Sequence, residues 1–228
     1  MPREQDEQTI TSGEHYFTAQ PASDGELRRV PVRLAGREVE VVTAGGVFSP
    51  DGIDKGTRVL LEDVPEPPES GTFLDLGCGW GPMALTLALE APGATVHAVD
   101  VNERALDLCR RNARALGALA ADASSPGIHA TTADGVPADA RYDLIWSNPP
   151  IRVGKAVLHG LLTTWLPRLA PPGEEGPGGT AYLVVQKNLG ADSLHAWLRE
   201  TLPPLLGEVG VDRVSTSRGF RVLRVERR

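Results

Sequence analysis

The chain has 228 residues, 41% of them hydrophobic, and a formal charge of −7, which suits one soluble domain with room for a small addition. That sign excludes a protein that coats nucleic acid through a bulk positive field, and no apolar run approaches the ~18 residues of a membrane span. Its two cysteines, Cys78 and Cys109, lie far apart with no Cys-x-x-Cys pair or Cys/His cluster, which argues against a disulfide framework and against a metal site.

The start, Met1 to Gln8, is polar and lacks the apolar stretch of a signal peptide. Together with the sparse cysteines this predicts a cytoplasmic protein. Residues 1–12 read as a disordered tail. Residues 13–62 read as an N-terminal extension that packs on the main domain. It begins with the aromatic pair Tyr16-Phe17. Val30–Leu34 and Glu38–Thr43 alternate around Ala35-Gly36 as a hairpin. A loop runs from Gly45 to Gly56, and a short helix is expected from Thr57. Pro65 to Gly71 has the composition of a linker.

Residues 63–228 change to strand–helix alternation. Strands are predicted at Thr72–Leu76, Thr95–Asp100, Ile128–Thr131, Tyr142–Ser147 and Thr180–Gln186. Helices are predicted at Pro82–Leu89, from Asn102 to Gly117, at Val157–Leu169 and at Ala191–Leu202. Val211–Thr216 and Phe220–Val225 flank Arg218-Gly219 as a C-terminal antiparallel hairpin. Repeated βα units mean an α/β fold, a mostly parallel sheet with helices on both faces. Ligands of such sheets bind beyond the carboxyl ends of the strands. Asp75, Asp100, Asp134 and Asn148 each fall at such an end.

The stretch Ser147-Asn148-Pro149-Pro150 stands out. Two prolines lack N–H donors and have a fixed φ, and they push Asn148 into an extended conformation. The result is a rigid corner rich in acceptors, suited to gripping an NH₂ group. Upstream, Gly77-x-Gly79-x-Gly81 lets a ligand approach the backbone closely, or serves only as a tight turn. Asp100, about 25 residues after Asp75, has the spacing of a carboxylate that accepts from ribose hydroxyls; the alternative is a helix cap, for which Asn102 is better placed. Asp134 reads as a carboxylate facing an adenine amino group or as part of an Asp-Gly turn. Pro82 removes a backbone donor where a dinucleotide fold places its pyrophosphate. A nucleoside cofactor without phosphates fits better than a nicotinamide dinucleotide.

Asp75-Leu-Gly-Cys-Gly-Trp-Gly81, Val99-Asp100-Val101-Asn102 and Asn148-Pro149-Pro150 together resemble the class I S-adenosylmethionine-dependent methyltransferases. His15-Tyr16-Phe17, Gly46-Val47-Phe48-Ser49, Ser147 to Lys155, Val185 to Asn188 and Gly219 to Leu223 are similar to the small-domain methyltransferases related to the ribosomal small-subunit RNA guanine-N2 enzymes. The resemblance implies a Rossmann-like fold with a mostly parallel seven-stranded sheet. It implies S-adenosylmethionine as cofactor and an exocyclic amine of ribosomal RNA, guanine N2, as target. It assigns Asp75, Gly77, Cys78, Gly79 and Gly81 to the methionine side, Asp100, Val101 and Asn102 to the ribose side, and Asp134 and Gly135 to the adenine side. Asn148 and the Pro149 carbonyl would hold the target amine, on a corner stiffened by Pro150, with Asn148 also beside the cofactor.

Many related enzymes follow the prolines with an aromatic residue that stacks on the target base. Here Ile151 stands there, so Phe48, Tyr16, Phe17 and Phe220 become candidates for that contact. Arg152, Lys155 and Lys187, with Arg218 and Arg221, fall on loops or strand ends where they would meet RNA phosphates, or are ordinary surface charge. The five histidines are scattered and none reads as catalytic. The expected partner is ribosomal RNA or a ribosomal subunit, and the expected state is a monomer. Two other readings stay open. A protein glutamine N5-methyltransferase would keep the mechanism, although that branch usually carries tyrosine at the Ile151 position. A non-catalytic cofactor-binding RNA module would bind both ligands without transfer.

Overall fold

A computed structural model of the chain describes residues 24–173 and 177–228. The expected tail, residues 13–23 of the expected extension, and with them the candidates Tyr16 and Phe17, lie outside the described residues.

A two-stranded hairpin comes first, β1 (Arg28–Leu34) and β2 (Arg37–Thr43), paired antiparallel across Ala35-Gly36. Helix α1 (Lys55–Asp63) follows, and Asp54 caps it by accepting from the Gly56 and Thr57 amides. Then come β3 (Thr72–Leu76), α2 (Pro82–Glu90), β4 (Thr95–Val99), α3 (Glu103–Ala115), β5 (Gly127–Thr131) and β6 (Leu144–Ser147). The chain ends with α4 (Lys155–Trp165), β7 (Thr180–Gln186), α5 (Ala191–Thr201), α6 (Pro203–Leu206), β8 (Val209–Ser217) and β9 (Phe220–Arg227).

The seven strands from β3 onward form one sheet in the order β5-β4-β3-β6-β7-β9-β8. The first five pair in parallel, and β9 and β8 add antiparallel at one edge. This is the α/β architecture expected from the strand–helix grammar. The chain builds β3, β4 and β5 outward in one direction, then returns to lay β6 on the other side of β3. That reversal opens a crevice between the carboxyl ends of β3 and β6.

Strand alternation divides the core into two layers. Phe73, Val96, Ala98, Trp146 and Val184 face α1, α2, α3 and the hairpin. Leu74, Leu76, Ile145, Leu183 and Leu223 face α4 and α5. Helix α2 is buried from Pro82 to Ala88 because the sheet covers one side and the hairpin the other. Helix α4 ends at Trp165, earlier than the expected Leu169. Pro167 lacks an N–H and turns the last residues into a 3₁₀ turn. The short α6 has no counterpart in the expected pattern.

The hairpin is tied to the main sheet by one buried amide. Asn112, on α3 and only 2% exposed, accepts from the Val42 amide and donates to the carbonyls of Val42 and Trp80. It lies within the buried face of α3, where helical spacing alone does not mark it as a tie to the hairpin. Among the described residues no helix is long and apolar enough to cross a membrane. No cluster of three or more metal-ligating side chains is found among them.

Replacing Asn112 with leucine keeps the volume but leaves three backbone polar groups without a partner. The expected cost is about 3 kcal/mol in urea-induced unfolding. A loss under about 1 kcal/mol would show that water replaces the amide.

Candidate functional site

Leu76 and Ser147 are register partners at the ends of β3 and β6, so Gly77 and Asn148 emerge side by side. The Ser147 hydroxyl donates to the Leu76 carbonyl at 2.7 Å, which pins the two strand ends together. The crevice above them is walled by Phe48, Ser49, Asp54, Thr57, Gly77, Cys78, Gly79, Trp80 and Asn148, with Pro82 and Met83 at one end. The glycine turn and the Asn-Pro-Pro corner, 70 residues apart in the chain, therefore share one cleft.

The turn after β3 needs its glycines. Gly77, Gly79 and Gly81 have φ of 80°, 56° and 99°, in the left-handed region that side chains disfavour. A Cβ on Gly81 would also strike the Cys109 sulfur. At Gly77 and Gly79 a Cβ would meet no atom and would fill the space beside the turn instead. Four amides of this turn are already committed. Gly77 and Cys78 donate to the Val99 carbonyl, Gly79 to Asp100 and Gly81 to the Cys78 carbonyl. Pro82 has no N–H. The turn is thus a smooth cradle with few donors left for a pyrophosphate, and it fits a nucleoside cofactor without phosphates.

The carboxylates divide by environment. Asp100 follows β4 at the strand end, partly exposed. One oxygen accepts from the Gly79 amide at 2.9 Å and the other from Asn102 at 2.9 Å. Burial raises its pKa against the opposing pull of those amides. A carboxylate has about four acceptor sites, so capacity for hydroxyl donors remains. Asp134 and Gly135 lie in an exposed 3₁₀ turn after β5, and a Cβ at Gly135 would overlap the Thr131 hydroxyl. Val101 stands 74% exposed beside Asp100.

Asp75 stands next to last in β3, near the strand end as expected, but its side chain is not open there. It lies inside β3, fully buried, and its Oδ2 accepts from the Ala84 amide at 2.8 Å. The cause is local. Gly81 occupies the N-cap of α2 and has no side chain to offer, so a strand carboxylate takes that job. Its Oδ1 has no partner among the described residues. Burial above all, with the Asp100 charge adding, pushes the Asp75 pKa up to about 7. Asn102 is likewise a structural residue, 3% exposed. Its oxygen caps α3 through the Arg104 and Ala105 amides, and its nitrogen donates to Gly46. The Cys78 thiol is buried, and the adjacent Cys109 sulfur, then burial, holds its pKa well above the usual range. It stays a protonated thiol.

At the corner, Asn148 is half-buried. Its Nδ2 donates to Asp54 Oδ2 at 2.9 Å and to Thr57 Oγ1 at 3.1 Å. Sequence reading missed both partners, because nothing in their local pattern points to a residue more than 90 positions away. It also missed Ser49, whose left-handed turn (φ 50°) is held by its hydroxyl donating to the Gly52 carbonyl and by the Trp80 indole donating to its own carbonyl. That turn leaves Phe48 43% exposed on the cleft wall. Phe220 is placed differently. Its ring lies against Gly56 at the first turn of α1 and packs with the core. Ile151 packs onto the core layer under α4. Of the aromatic candidates within the described residues, only Phe48 lines the cleft.

Arg152, Lys155 and Lys187 are exposed on the segments that follow β6 and β7, at the same end of the sheet as the cleft. Arg218 instead pairs with Glu62, and Arg221, nearly buried, pairs with Asp192. Of the described histidines, none lines the cleft. His97 hydrogen-bonds the Tyr142 hydroxyl within the sheet, and burial above all lowers its pKa to about 4.

Comparison with known proteins gives a consistent result. The family model of the methyltransferase small domain matches residues 38–224. The chain is 31% identical over 214 residues to the uncharacterized protein YbxB of Bacillus subtilis, covering 94% of this chain and 98% of that protein. It is 32% identical over 134 residues to the ribosomal RNA small subunit methyltransferase C of Shewanella amazonensis, covering 59% of this chain and 37% of that enzyme. A second, from Shewanella piezotolerans, is 33% identical over 67% of this chain and 41% of its own. The chain thus spans about two fifths of the length of the ribosomal RNA methyltransferases it matches. Among solved structures, the Thermus thermophilus 16S rRNA N2 G1207 methyltransferase (RsmC) in complex with AdoMet and guanosine superposes with a TM-score of 0.70. It shares 25% identity and covers 91% of this chain and 52% of its own. The M. jannaschii TYW2 in complex with AdoMet, 12% identical with a TM-score of 0.55, shares the fold over 87% of this chain and 84% of its own.

The buried Asp75 generates a pH prediction. Its folded pKa of about 7 lies above the ordinary 3.8, so its contribution to stability is full below pH 3.8 and gone once pH passes about 7. Urea unfolding between pH 4 and 8 should show this decline, and Asp75→Asn should flatten it. An unchanged slope in the variant would mean that Asp75 ionises without cost.

Proposed function

The chain belongs to the methyltransferase small domain family and uses S-adenosylmethionine, and on that premise we propose that it methylates an exocyclic amine of ribosomal RNA, guanine N2 of the small subunit. The observation that carries this reading is that the acceptor corner and the glycine cradle wall the same cleft, one residue beyond paired strand ends. The similarity to enzymes named as small-subunit ribosomal RNA methyltransferases supports the choice of RNA.

The cofactor supplies an electrophilic methyl group on a sulfonium. The residues of this chain do the rest. Gly77 and Gly79 leave room for the methionine portion, and the spare acceptors of Asp100 suit the ribose hydroxyls. Val101 offers an apolar face and Asp134 a carboxylate to the base. Asn148 Oδ1 and the Pro149 carbonyl accept the two N–H bonds of the target amine. An amine conjugated to a ring is a poor nucleophile, because its lone pair is delocalised. Two acceptors favour a more tetrahedral nitrogen and aim the lone pair at the cradle. They also stabilise the positive charge that develops on nitrogen. No base is required at the site, since the proton can leave to water after transfer.

Phe48 takes the part that Ile151 cannot. Its exposed ring on the cleft wall offers a stacking face for an unpaired or flipped base, a contact worth about 1–3 kcal/mol. Arg152, Lys155 and Lys187 at the same end of the sheet supply positive charge for the flanking phosphates. The cleft end carries this charge although the protein as a whole is acidic.

The test is incubation with methyl-labelled cofactor, naked ribosomal RNA and assembled subunits, followed by mapping of the label. Label in a guanine of small-subunit RNA is expected. Label confined to protein would transfer the reading to a glutamine amide, and cofactor and RNA binding without label would leave a binding module. Asn148→Ala should lower kcat by about 10²–10³ with the cofactor Kd little changed. Asp100→Ala should do the reverse, weakening cofactor binding about 10–100-fold. Equal effects of the two variants on cofactor affinity would separate Asn148 from the amine.

A further inference from the structure

We propose that Asp54 and Thr57 are positioning residues that decide which atom of Asn148 the cleft presents; the proposal rests on the reading of Asn148 as the amine holder. A free asparagine amide is ambiguous. Its oxygen accepts, its nitrogen donates, and a half-turn about the last bond exchanges them at little steric cost. Such a corner would grip a carbonyl as readily as an amine.

The neighbours remove that ambiguity. Asp54 Oδ2 lies 2.9 Å from Asn148 Nδ2, and a carboxylate oxygen can only accept. Thr57 Oγ1 lies 3.1 Å from the same nitrogen. An NH₂ group has two hydrogens, and these two acceptors use both. The exchanged orientation would bring Asn148 Oδ1 against the Asp54 carboxylate, oxygen against oxygen. The amide is therefore locked with Oδ1 as its free atom, and the corner becomes acceptor-only. It selects an N–H donor before any substrate arrives.

The lock also strengthens the grip. Donation from Nδ2 to a carboxylate polarises the amide and raises electron density on Oδ1. That oxygen then responds more strongly to positive charge growing on the amine it holds.

The two residues are rigidly held. Asp54 Oδ2 is fixed as the N-cap of α1 by the Gly56 and Thr57 amides. Thr57 is 3% exposed, and the Phe220 ring packs under Gly56 between them. The N-terminal extension thus contributes to the chemistry of a corner built by the main sheet.

The experiment compares Thr57→Val, Asp54→Ser and Asp54→Asn, each alone and combined with Asn148→Ala. Methyl transfer is measured on whichever substrate the unmodified protein labels, and cofactor Kd and thermal midpoint are measured in parallel. Failure of the unmodified protein to label RNA would bear on the substrate, while the comparison among variants bears on the positioning. Thr57→Val keeps the buried shape and should lower kcat about tenfold with cofactor Kd and midpoint unchanged. Asp54→Ser keeps a good helix cap but is too short to reach Asn148, and should lose about 10–100-fold in kcat. Asp54→Asn can present an oxygen in the place of Oδ2 and should recover most of that loss. In the Asn148→Ala background none of the three should reduce kcat further. Full kcat in both Thr57→Val and Asp54→Ser, or equal losses with and without Asn148, would overturn the proposal.

Discussion

The parallel pairing of β3 with β6 is the constraint on which the site depends. Leu76 and Ser147 close the pairing as register partners, and the Ser147 hydroxyl clamps the Leu76 carbonyl. A parallel pair forces both chains to leave the sheet in the same direction. One leaves as a glycine turn and the other as a proline corner. Their separation is then set by the strand spacing, about 4.8 Å, and not by loops that could drift. The glycine turn and the proline corner are held beside each other by the hydrogen bonds of the paired strands.

A second layer of polar ties turns the N-terminal hairpin and α1 into a wall of that cleft. Asn112 joins β2 to the Trp80 carbonyl, Asn102 joins the β4 end to Gly46, the Trp80 indole joins the glycine turn to Ser49, and Asn148 joins the corner to α1. Three of the four are asparagines. An amide side chain can accept from one backbone and donate to another, so it can satisfy two segments at once in a buried place. None of these ties would contribute much in water, but leaving any of their partners unpaired in the interior is costly. The wall is fixed by the penalty for breaking it more than by the strength of each bond.

The acidic residues illustrate how place outranks type. Asp75, Asp100 and Asp54 are each carboxylates bound to backbone amides. Asp75 is wholly buried as the surrogate cap of α2, and its pKa rises to about 7. Asp100 holds the glycine turn from the end of β4 and is only partly buried. Asp54 caps α1 and faces the corner. The arginines divide similarly, with Arg221 and Arg218 spent on ion pairs while Arg152 and the lysines at 155 and 187 remain exposed near the cleft end.

Much of this protein was legible from residue order. Alternation and helical spacing located all seven strands of the sheet and the helices α2 to α5 that flank it, because each needs only its own period to declare itself. The glycine turn and the double proline were legible for the same reason, since φ restrictions act within a residue or two. The resemblance that those motifs carry pointed to the family and its cofactor. Residue order could not reveal that Asp75 turns inward, because that depended on Gly81 leaving a helix end uncapped. Nor could it separate Phe48 from Phe220, since one ring met open space and the other met Gly56. Least of all could it join Asp54 and Thr57 to Asn148. Periodicity and backbone restriction are local and travel with the sequence, whereas the partner of a side chain across a sheet is settled only when the whole chain has closed around it.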